Sequence, residues 1–213
     1  MIGSRFAACA QACALVLAIA GCARTAVPAA PSAAVVAPQA TVAVPMAPAE
    51  RAKAAGAAFA GALKSALGAK LAADGTVGAI DFCHDEAPKI AARVSAEYGV
   101  RLGRVPVAGR QRSPANAPSA WQTEVLAAFE REAAAGTPVS ALQHAQTEGL
   151  PAGIVLRSMR GIAVEPVCLA CHGKALADDT RAALARHYPG DTATGFEAGD
   201  LRGALWVEVP ASP

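Results

Sequence analysis

The sequence has little net charge and few aromatic residues. Its 213 residues carry a formal net charge of +2, and only 4% of them are Phe, Trp or Tyr. A net charge so close to zero does not predict binding to nucleic acid or to a strongly acidic partner. The sequence also lacks a stretch of basic residues interleaved with aromatic ones. The hydrophobic share of 54% overstates the core, because alanine supplies much of it. The length predicts one domain with additional segments.

The N-terminal apolar run is too short to cross a bilayer. It covers residues 12–20, follows the positively charged Arg5 and has the length of a signal-peptide hydrophobic region. It ends in Ile19-Ala20-Gly21-Cys22, which resembles the lipobox of bacterial lipoproteins. The pattern predicts export, cleavage before Cys22 and acylation of its sulfur, and two or more acyl chains anchor a protein stably. The alternative is an ordinary signal peptide cleaved near Ala23.

Three parts are predicted along the chain. They are a lipoprotein signal peptide at 1–21, an Ala/Pro-rich tether at 22–49 and one folded domain at 50–213. Repeated prolines in the tether block both helix and sheet, so this segment is expected to be extended and to hold the domain away from the membrane. An aspartate at the position of Arg24 would be the common signal that retains a lipoprotein in the inner membrane. Because arginine stands there, the periplasmic side of the outer membrane is favoured.

The folded domain is predicted to be α+β, with an antiparallel sheet. Apolar periodicity predicts helices over 50–73, 80–98, 120–135 and 179–187, and strands within 100–112, 138–147, 152–164 and 201–209. Gly75 and Gly78 are expected to end the first helix. Pro88 is expected to kink or restart the second one, because it cannot donate a backbone hydrogen bond. Clean alternation after Leu201 predicts a half-buried last strand.

The cysteine count leaves a single thiol without a role. The six cysteines comprise Cys9 and Cys13 in the signal peptide, Cys22 at the cleavage point, Cys168 and Cys171 in one motif, and Cys83. A lone thiol in an oxidising compartment is exposed to wrong disulfides and to over-oxidation. Cys83 therefore calls for an explanation.

The segment Cys168-Leu169-Ala170-Cys171-His172 has the spacing of a covalent haem attachment motif. Two thiols three residues apart can add to the two vinyl groups of haem, and the adjacent His172 is placed as the proximal iron ligand. Half a zinc site, a redox dithiol and a disulfide are the alternatives. A zinc site needs a second ligand pair, and a redox dithiol leaves His172 unexplained. One haem c is predicted, bound outside the cytoplasm.

No methionine follows His172, although an ordinary small cytochrome c takes its second axial ligand from a downstream methionine. The candidates for that ligand are Cys83, Met159, His84, His144 and His187, and an open site is a further possibility. Cys83 leads because it lies on the apolar stripe of its predicted helix, while an inert core cysteine is the alternative. His144 and His187 suit structural or surface roles better.

An ordered set of segments carries a family resemblance. The segments are 79–83, 87–91, 100–101, 112–118, Trp121, 166–173, 188–191, Ala193, Gly195 and 199–203. On these segments, residues 50–210 resemble a bacterial family of haem c domains with a PAS-like fold, long catalogued as a domain of unknown function. The family also provides the sensory part of some membrane histidine kinases. The chain departs from the family pattern at Leu102 and at 103–106.

The resemblance implies a PAS-like antiparallel sheet flanked by helices and a haem iron held by histidine and cysteine. His172 would be the proximal ligand and Cys83 the distal one. Arg110, Arg112 and Arg202 are candidates to pair with the haem propionates, and solvated surface arginines are the alternative.

A thiolate opposite a histidine stabilises Fe(III) and lowers the reduction potential, so low-potential one-electron transfer or redox and gas sensing is predicted. The expected partners are a redox or signalling protein in the periplasm and the membrane through the N-terminal lipid, without nucleic acid. No enzymatic activity is expected. The alternatives are a haem enzyme of peroxidase or reductase type and a helical-bundle electron carrier.

Overall fold

The computed structural model describes residues 46–211, and the predicted signal peptide, Cys22 and nearly all of the predicted tether lie outside them. The elements in chain order are α1 Pro48–Asp85, α2 Ala87–Tyr98, β1 Arg101–Pro106, α3 Ala120–Ala134, β2 Gln143–Gln146, β3 Ile154–Ala163, α4 Leu169–His172, α5 Asp178–His187 and β4 Leu201–Pro210. None of the helices within 46–211 combines the length and the apolar composition needed to cross a bilayer.

The first two helices differ from the predicted ones at their junction. Gly75 leaves helical geometry at φ 65° and ψ −163°, so it breaks α1 as expected, but the chain returns to helix and continues past Gly78 to Asp85. A new helix begins at Ala87, with Pro88 in its first turn, where a missing N–H costs nothing. The predicted restart at Pro88 is confirmed. Cys83 consequently lies in the last turn of α1, and the prediction that it shares one helix with residues 87–98 is wrong.

The sheet has four strands in the order β1-β4-β3-β2, and every neighbouring pair is antiparallel. The predicted α+β class with an antiparallel sheet is therefore confirmed. A four-stranded sheet with helices is incompatible with the helical-bundle alternative.

Helices cover both faces of the sheet. The face that contacts α1 and α2 buries Phe59, Leu63, Val94, Leu102, Leu156 and Val207, and the face that contacts α3 buries Val105, Leu126, Phe129, Met159 and Ala204. The predicted half-buried β4 is wrong, because this strand lies between β1 and β3 and is covered on both sides. The one acidic side chain of β4, Glu208, is buried, and its carboxylate accepts hydrogen bonds from Arg101 and Arg157.

Gly203 in β4 occupies a position that no other residue can take without strain. Its φ is 151°, and a Cβ atom there would lie 2.1 Å from the carbonyl oxygen of Val105. The pairing of β3 with β4 shifts register beside this residue, between Ile162 and Ala163. Glycine thus permits the irregular pairing, and it does so next to Arg202, one of the predicted site residues.

Candidate functional site

The predicted haem attachment motif is a compact helical turn. A 3-10 turn over Pro166–Cys168 leads directly into α4, and Gly173 follows His172 as the helix ends. Cys168 and Cys171 are half-buried, and neither forms a disulfide. Residues three apart in a helical turn lie on the same side, so both thiols are available together to one ligand.

The imidazole of His172 is held in a single tautomer. Its Nδ1 lies 2.6 Å from the carbonyl oxygen of Ala193, and since a carbonyl only accepts, Nδ1 carries the proton and donates it. The lone pair is therefore on Nε2. Burial lowers the pKa of His172 to about 3, and the positive charges of Arg112 and Arg202 add to this effect, so the ring is neutral at physiological pH. A neutral imidazole with an available Nε2 is the form that coordinates metal.

Arg112 lies against the motif and contacts both its backbone and the imidazole of His172. Its Nη2 donates to the carbonyl oxygen of Cys171 at 2.6 Å and to the carboxylate of Asp191 at 3.1 Å. Its Nη1 is 3.5 Å from His172 Nε2, which is too long to engage that lone pair strongly. The Arg112 and Asp191 side chains are only 11% and 8% exposed, so the pair is a buried ion pair. The Nε of Arg112 is buried without a partner among residues 46–211.

Asp191 joins this arginine to the acceptor of His172. Its Oδ1 accepts from the backbone N–H of Ala193 at 2.8 Å, while its Oδ2 accepts from Arg112. The carbonyl oxygen of the same Ala193 is the acceptor for His172 Nδ1. One carboxylate thus positions both the cation that contacts the motif and the residue whose backbone oxygen orients the imidazole.

Replacing Asp191 with alanine is expected to reduce the free energy of unfolding by about 3 kcal/mol, since the buried Arg112 cation loses its counter-charge. Asp178→Ala is the matched control, because that carboxylate is 98% exposed and its pair with Arg181 contributes less than about 0.5 kcal/mol. Denaturant unfolding of both variants measures the difference. Equal losses in the two variants would show that Asp191 is no more than a surface charge.

Phe196 lies beside His172, and two of the predicted site arginines, Arg110 and Arg202, pack near its ring. The ring of Phe196 meets the imidazole edge-on, with centroids 6.3 Å apart. Arg110 stacks on the same ring at 3.5 Å and donates to the carbonyl oxygen of Thr194. Arg202 lies 5.1 Å from the ring and donates to the carbonyl oxygen of Arg110 at 3.2 Å. Burial and the neighbouring arginines lower the pKa of Arg202 to about 10.

The structure thus brings Arg110, Arg112 and Arg202 together around His172. Asp191 is the carboxylate in contact with this group, so positive charge is in excess there. Such an excess suits an anionic ligand group. Their pairing with haem propionates stays a prediction, and Arg112 is already engaged by Cys171 and Asp191.

Cys83 shares its surroundings with the motif. It lies one helical turn after Ile80, which packs in a small cluster with Cys171, Leu184 and Tyr188. Burial raises the pKa of the Cys83 thiol, while the charges of Arg104 and Arg112 oppose that change. The pKa of the Cys171 thiol is also raised, mainly by burial, with a contribution from Cys83. The end of α1 therefore brings a third thiol, that of Cys83, to the environment of the motif.

The other candidate ligands have different surroundings. Met159 is 2% exposed and lies in the core beneath α3, and His144 pairs with it across the β2–β3 ladder. His84 Nδ1 is 2.6 Å from Asp85 Oδ1, and its ring lies 4.8 Å from that of His187. Within 46–211, no three His, Cys, Asp or Glu side chains are grouped as a metal ion would require.

Sequence reasoning missed Ala193, Asp191 and Phe196 as parts of the site. Ala193 and Asp191 stood among the family-like segments, but no pattern assigned them a role. The signals were weak because Ala193 contributes through its backbone oxygen, which any residue possesses. Phe196 is a single aromatic in a loop, 24 positions after His172.

Comparisons with known proteins agree on one relative. Residues 49–210 match the model of the family described as Tll0287-like. Among solved structures, the chain is similar to that described as "Crystal structure of the cyanobacterial heme-protein Tll0287", with 30% sequence identity and a TM-score of 0.47. That match covers 59% of this chain and 70% of the other chain. No curated protein matches the sequence.

Proposed function

The chain belongs to the Tll0287-like family, and from this premise we propose that it is an exported, lipid-anchored protein with one haem c that transfers single electrons at low potential or senses redox state or gases. The domain would have a PAS-like fold, in which helices flank the antiparallel sheet. The hydrogen bond from His172 Nδ1 to Ala193 is the observation that carries the proposal, because it presents a neutral Nε2 beside two thiols.

The residues of the site fit a covalently attached haem. Cys168 and Cys171 are unpaired thiols on one helical turn, and His172 follows them directly. The arginine cluster supplies the positive charge that two propionates would neutralise, and the buried, unpartnered Nε of Arg112 is a further sign of an incomplete set of acceptors. Two thiols and a neutral imidazole are the groups that attachment of haem c and ligation of its iron require.

Each residue has a separable task. The Cys168 and Cys171 thiols would each add S–H across a vinyl group, which forms two thioethers without any net oxidation. His172 would bind the iron through Nε2, oriented by Ala193, while Arg112 and Asp191 hold the backbone on either side. Cys83 would supply a thiolate as the second ligand to the oxidised iron, and its sulfur would take up a proton if the reduced iron gave it up. When bound, the haem supplies the one-electron Fe(III)/Fe(II) change.

The potential and the gas response test this proposal together. A potentiometric titration is expected to give a midpoint well below that of a cytochrome with histidine and methionine ligands, because thiolate stabilises Fe(III). Carbon monoxide is expected to bind the reduced protein and not the oxidised one. A high midpoint combined with no carbon monoxide binding would refute both the thiolate ligand and the sensing role.

We also propose the periplasmic side of a bacterial membrane, with the outer membrane favoured, as the location. Support comes from the apolar run at 12–20 and from the residues preceding Cys22. Cys22→Ser is expected to move the protein from the membrane fraction to the soluble fraction after cell breakage. Unchanged membrane association of that variant would contradict the lipid anchor.

An enzymatic role is not proposed. Peroxidase and reductase reactions usually require an open iron position with acid–base residues, or a second haem that stores electrons. The sequence has one Cys-x-x-Cys-His motif, and the proposed Cys83 ligand closes the second iron position. Peroxide turnover by the purified protein provides the check, and sustained turnover would overturn this part of the account.

A further inference from the structure

The end of α1 forms a separate helical segment. Gly75 leaves helical geometry at φ 65°, and residues 76–85, here called the Cys83 segment, follow it. The longer first part of α1 packs on the sheet. Within the Cys83 segment, Phe82 still contacts that sheet-side core, but Ile80 is buried in a different cluster, which it shares with α5. Cys83 is therefore carried by a piece of helix that depends on α5 for part of its packing.

Two side-chain hydrogen bonds join the Cys83 segment to α5. The hydroxyl oxygens of Thr76 and Thr180 are 2.6 Å apart. Nε2 of His187, the last residue of α5, lies 2.8 Å from Oδ1 of Asp81. Since an ionised carboxylate only accepts, Nε2 carries the proton and donates it. Within 46–211, no side-chain hydrogen bond links this segment to any element other than α5.

Helix geometry places Cys83 on the side of its segment that contacts α5. Ile80 lies four residues after Thr76, and Cys83 lies three residues after Ile80, so the three side chains share one side of the helix. Thr76 and Ile80 both contact α5. The contacts with α5 therefore set the position of the helix side that carries the proposed distal ligand.

His187 also begins the loop that orients the proposed proximal ligand. Tyr188 follows it, and the Tyr188 carbonyl oxygen accepts from the backbone N–H of Asp191 at 2.9 Å. Asp191 in turn accepts from the N–H of Ala193, whose carbonyl oxygen is the acceptor for His172 Nδ1. One short loop thus contacts the Cys83 segment at its start and the imidazole of the attachment motif at its end.

Resting on the proposed function, we propose that His187 is a positioning residue for the distal iron ligand Cys83 and acts through its hydrogen bond to Asp81. The bond holds the Cys83 segment on α5, next to the loop that orients His172. Without it, Gly75 is a joint about which the segment can turn, because glycine restricts the backbone little. A ligand group that is held in its bound position loses less entropy on binding, so a loosened thiolate is displaced more readily.

His187 is better suited to this task than to binding the iron itself. Its Nε2 proton is committed to Asp81, and its ring lies 4.8 Å from that of His84. Of the two bonds to α5, the one to Asp81 is also the nearer to Cys83 along the chain, at two residues against seven for Thr76. Loss of the His187 bond is therefore expected to act on the thiolate more strongly than loss of the hydroxyl pair.

Displacement of the distal ligand tests the proposal. In the oxidised holoprotein, added imidazole is expected to displace Cys83 about fivefold faster in His187→Phe than in wild type, as suits the loss of a partly exposed hydrogen bond to a carboxylate. The thiolate signature should remain before imidazole is added. His187→Gln keeps an N–H donor and should restore most of the wild-type rate. Asp81→Ala should give the same acceleration as His187→Phe, and it serves if that variant does not fold, because the Asp81 side chain is 48% exposed.

Hydrogen exchange of the holoprotein locates the effect. Amide exchange within 76–85 is expected to be faster in His187→Phe, while the first part of α1 keeps its wild-type exchange. Lys64→Gln is the matched control, because it breaks another ion pair between α1 and a distant residue, Glu165, but on the other side of Gly75. This control should change neither the displacement rate nor the exchange of the Cys83 segment.

The double variant separates a shared bond from two independent effects. Displacement in His187→Phe combined with Asp81→Ala should be no faster than in either single variant, since both act through one hydrogen bond. Multiplying effects, or equal acceleration in Lys64→Gln, would overturn the proposal. Unchanged displacement in His187→Phe would also overturn it while leaving the proposed function intact. A wild-type protein without a thiolate signature would refute both.

Discussion

Replacing Cys83 with alanine is expected to abolish the thiolate signature of the oxidised protein. Wild-type Fe(III) should give a low-spin electron paramagnetic resonance spectrum of the kind that histidine and thiolate ligands produce. The variant should lose this signal in essentially the whole population, because a methyl group cannot bind iron. The prediction rests on the place of Cys83 in the chain, one turn after Ile80, whose cluster includes Cys171.

His84→Ala is the matched control for Cys83→Ala. The two residues are neighbours at the end of α1, and His84 was itself a candidate ligand. Its Nδ1 is paired with Asp85 and its ring packs near His187 and Tyr188. We expect the His84 variant to keep the wild-type spectrum. A wild-type spectrum in Cys83→Ala, or loss of the signal in His84→Ala, would show that the distal ligand has been assigned wrongly.

Replacing His172 with glycine is expected to remove most of the bound haem. The variant keeps both thiols, but it loses the nitrogen that binds the iron and the hydrogen bond that Nδ1 donates to Ala193. Haem content per protein, measured by absorbance against total protein, reports the loss. Imidazole supplied during expression should restore part of that content, because it can occupy the space left by the side chain.

His144→Ala is the corresponding control for His172→Gly. This histidine lies on β2, the edge strand farthest from β1 in the sheet order, and it is partly exposed. We expect the variant to retain wild-type haem content. Equal haem content in the His172 and His144 variants would mean that His172 does not bind the iron.

The sequence predicted those parts of the fold that depend on local patterns. Ser119 marked the start of α3, where Gln122 accepts from the Ser119 backbone N–H at 2.9 Å, and Gly99 ends α2 in the left-handed conformation. Both signals involve residues within one turn of each other. The α+β class followed from such signals alone.

The extent of burial of β4 could not be predicted in this way. Its alternation after Leu201 is typical of a strand with one wet face, yet Glu208 on the supposedly exposed side is buried by Arg101 and Arg157. Those partners lie 107 and 51 residues away in the sequence. Long-range ion pairing can make a polar face internal, and no short-range period records it.

The candidate site also has parts that local sequence patterns predict and parts that depend on long-range contacts. The spacing of Cys168, Cys171 and His172 was sufficient to predict that they share one turn of the chain, because that turn involves only neighbouring residues. The roles of Asp191 and Ala193 depend on a loop that returns to the motif and on a backbone oxygen.

Peptide mapping of the purified wild-type protein by mass spectrometry tests the central claim most directly. After digestion and extraction with acidified organic solvent, the peptide that contains Cys168 and Cys171 is expected to carry the mass of one intact haem. Its fragments should place both attachment points on these cysteines and none on Cys83. If that peptide has its unmodified mass and both thiols react with an alkylating reagent, the protein holds no covalent haem and the account is wrong.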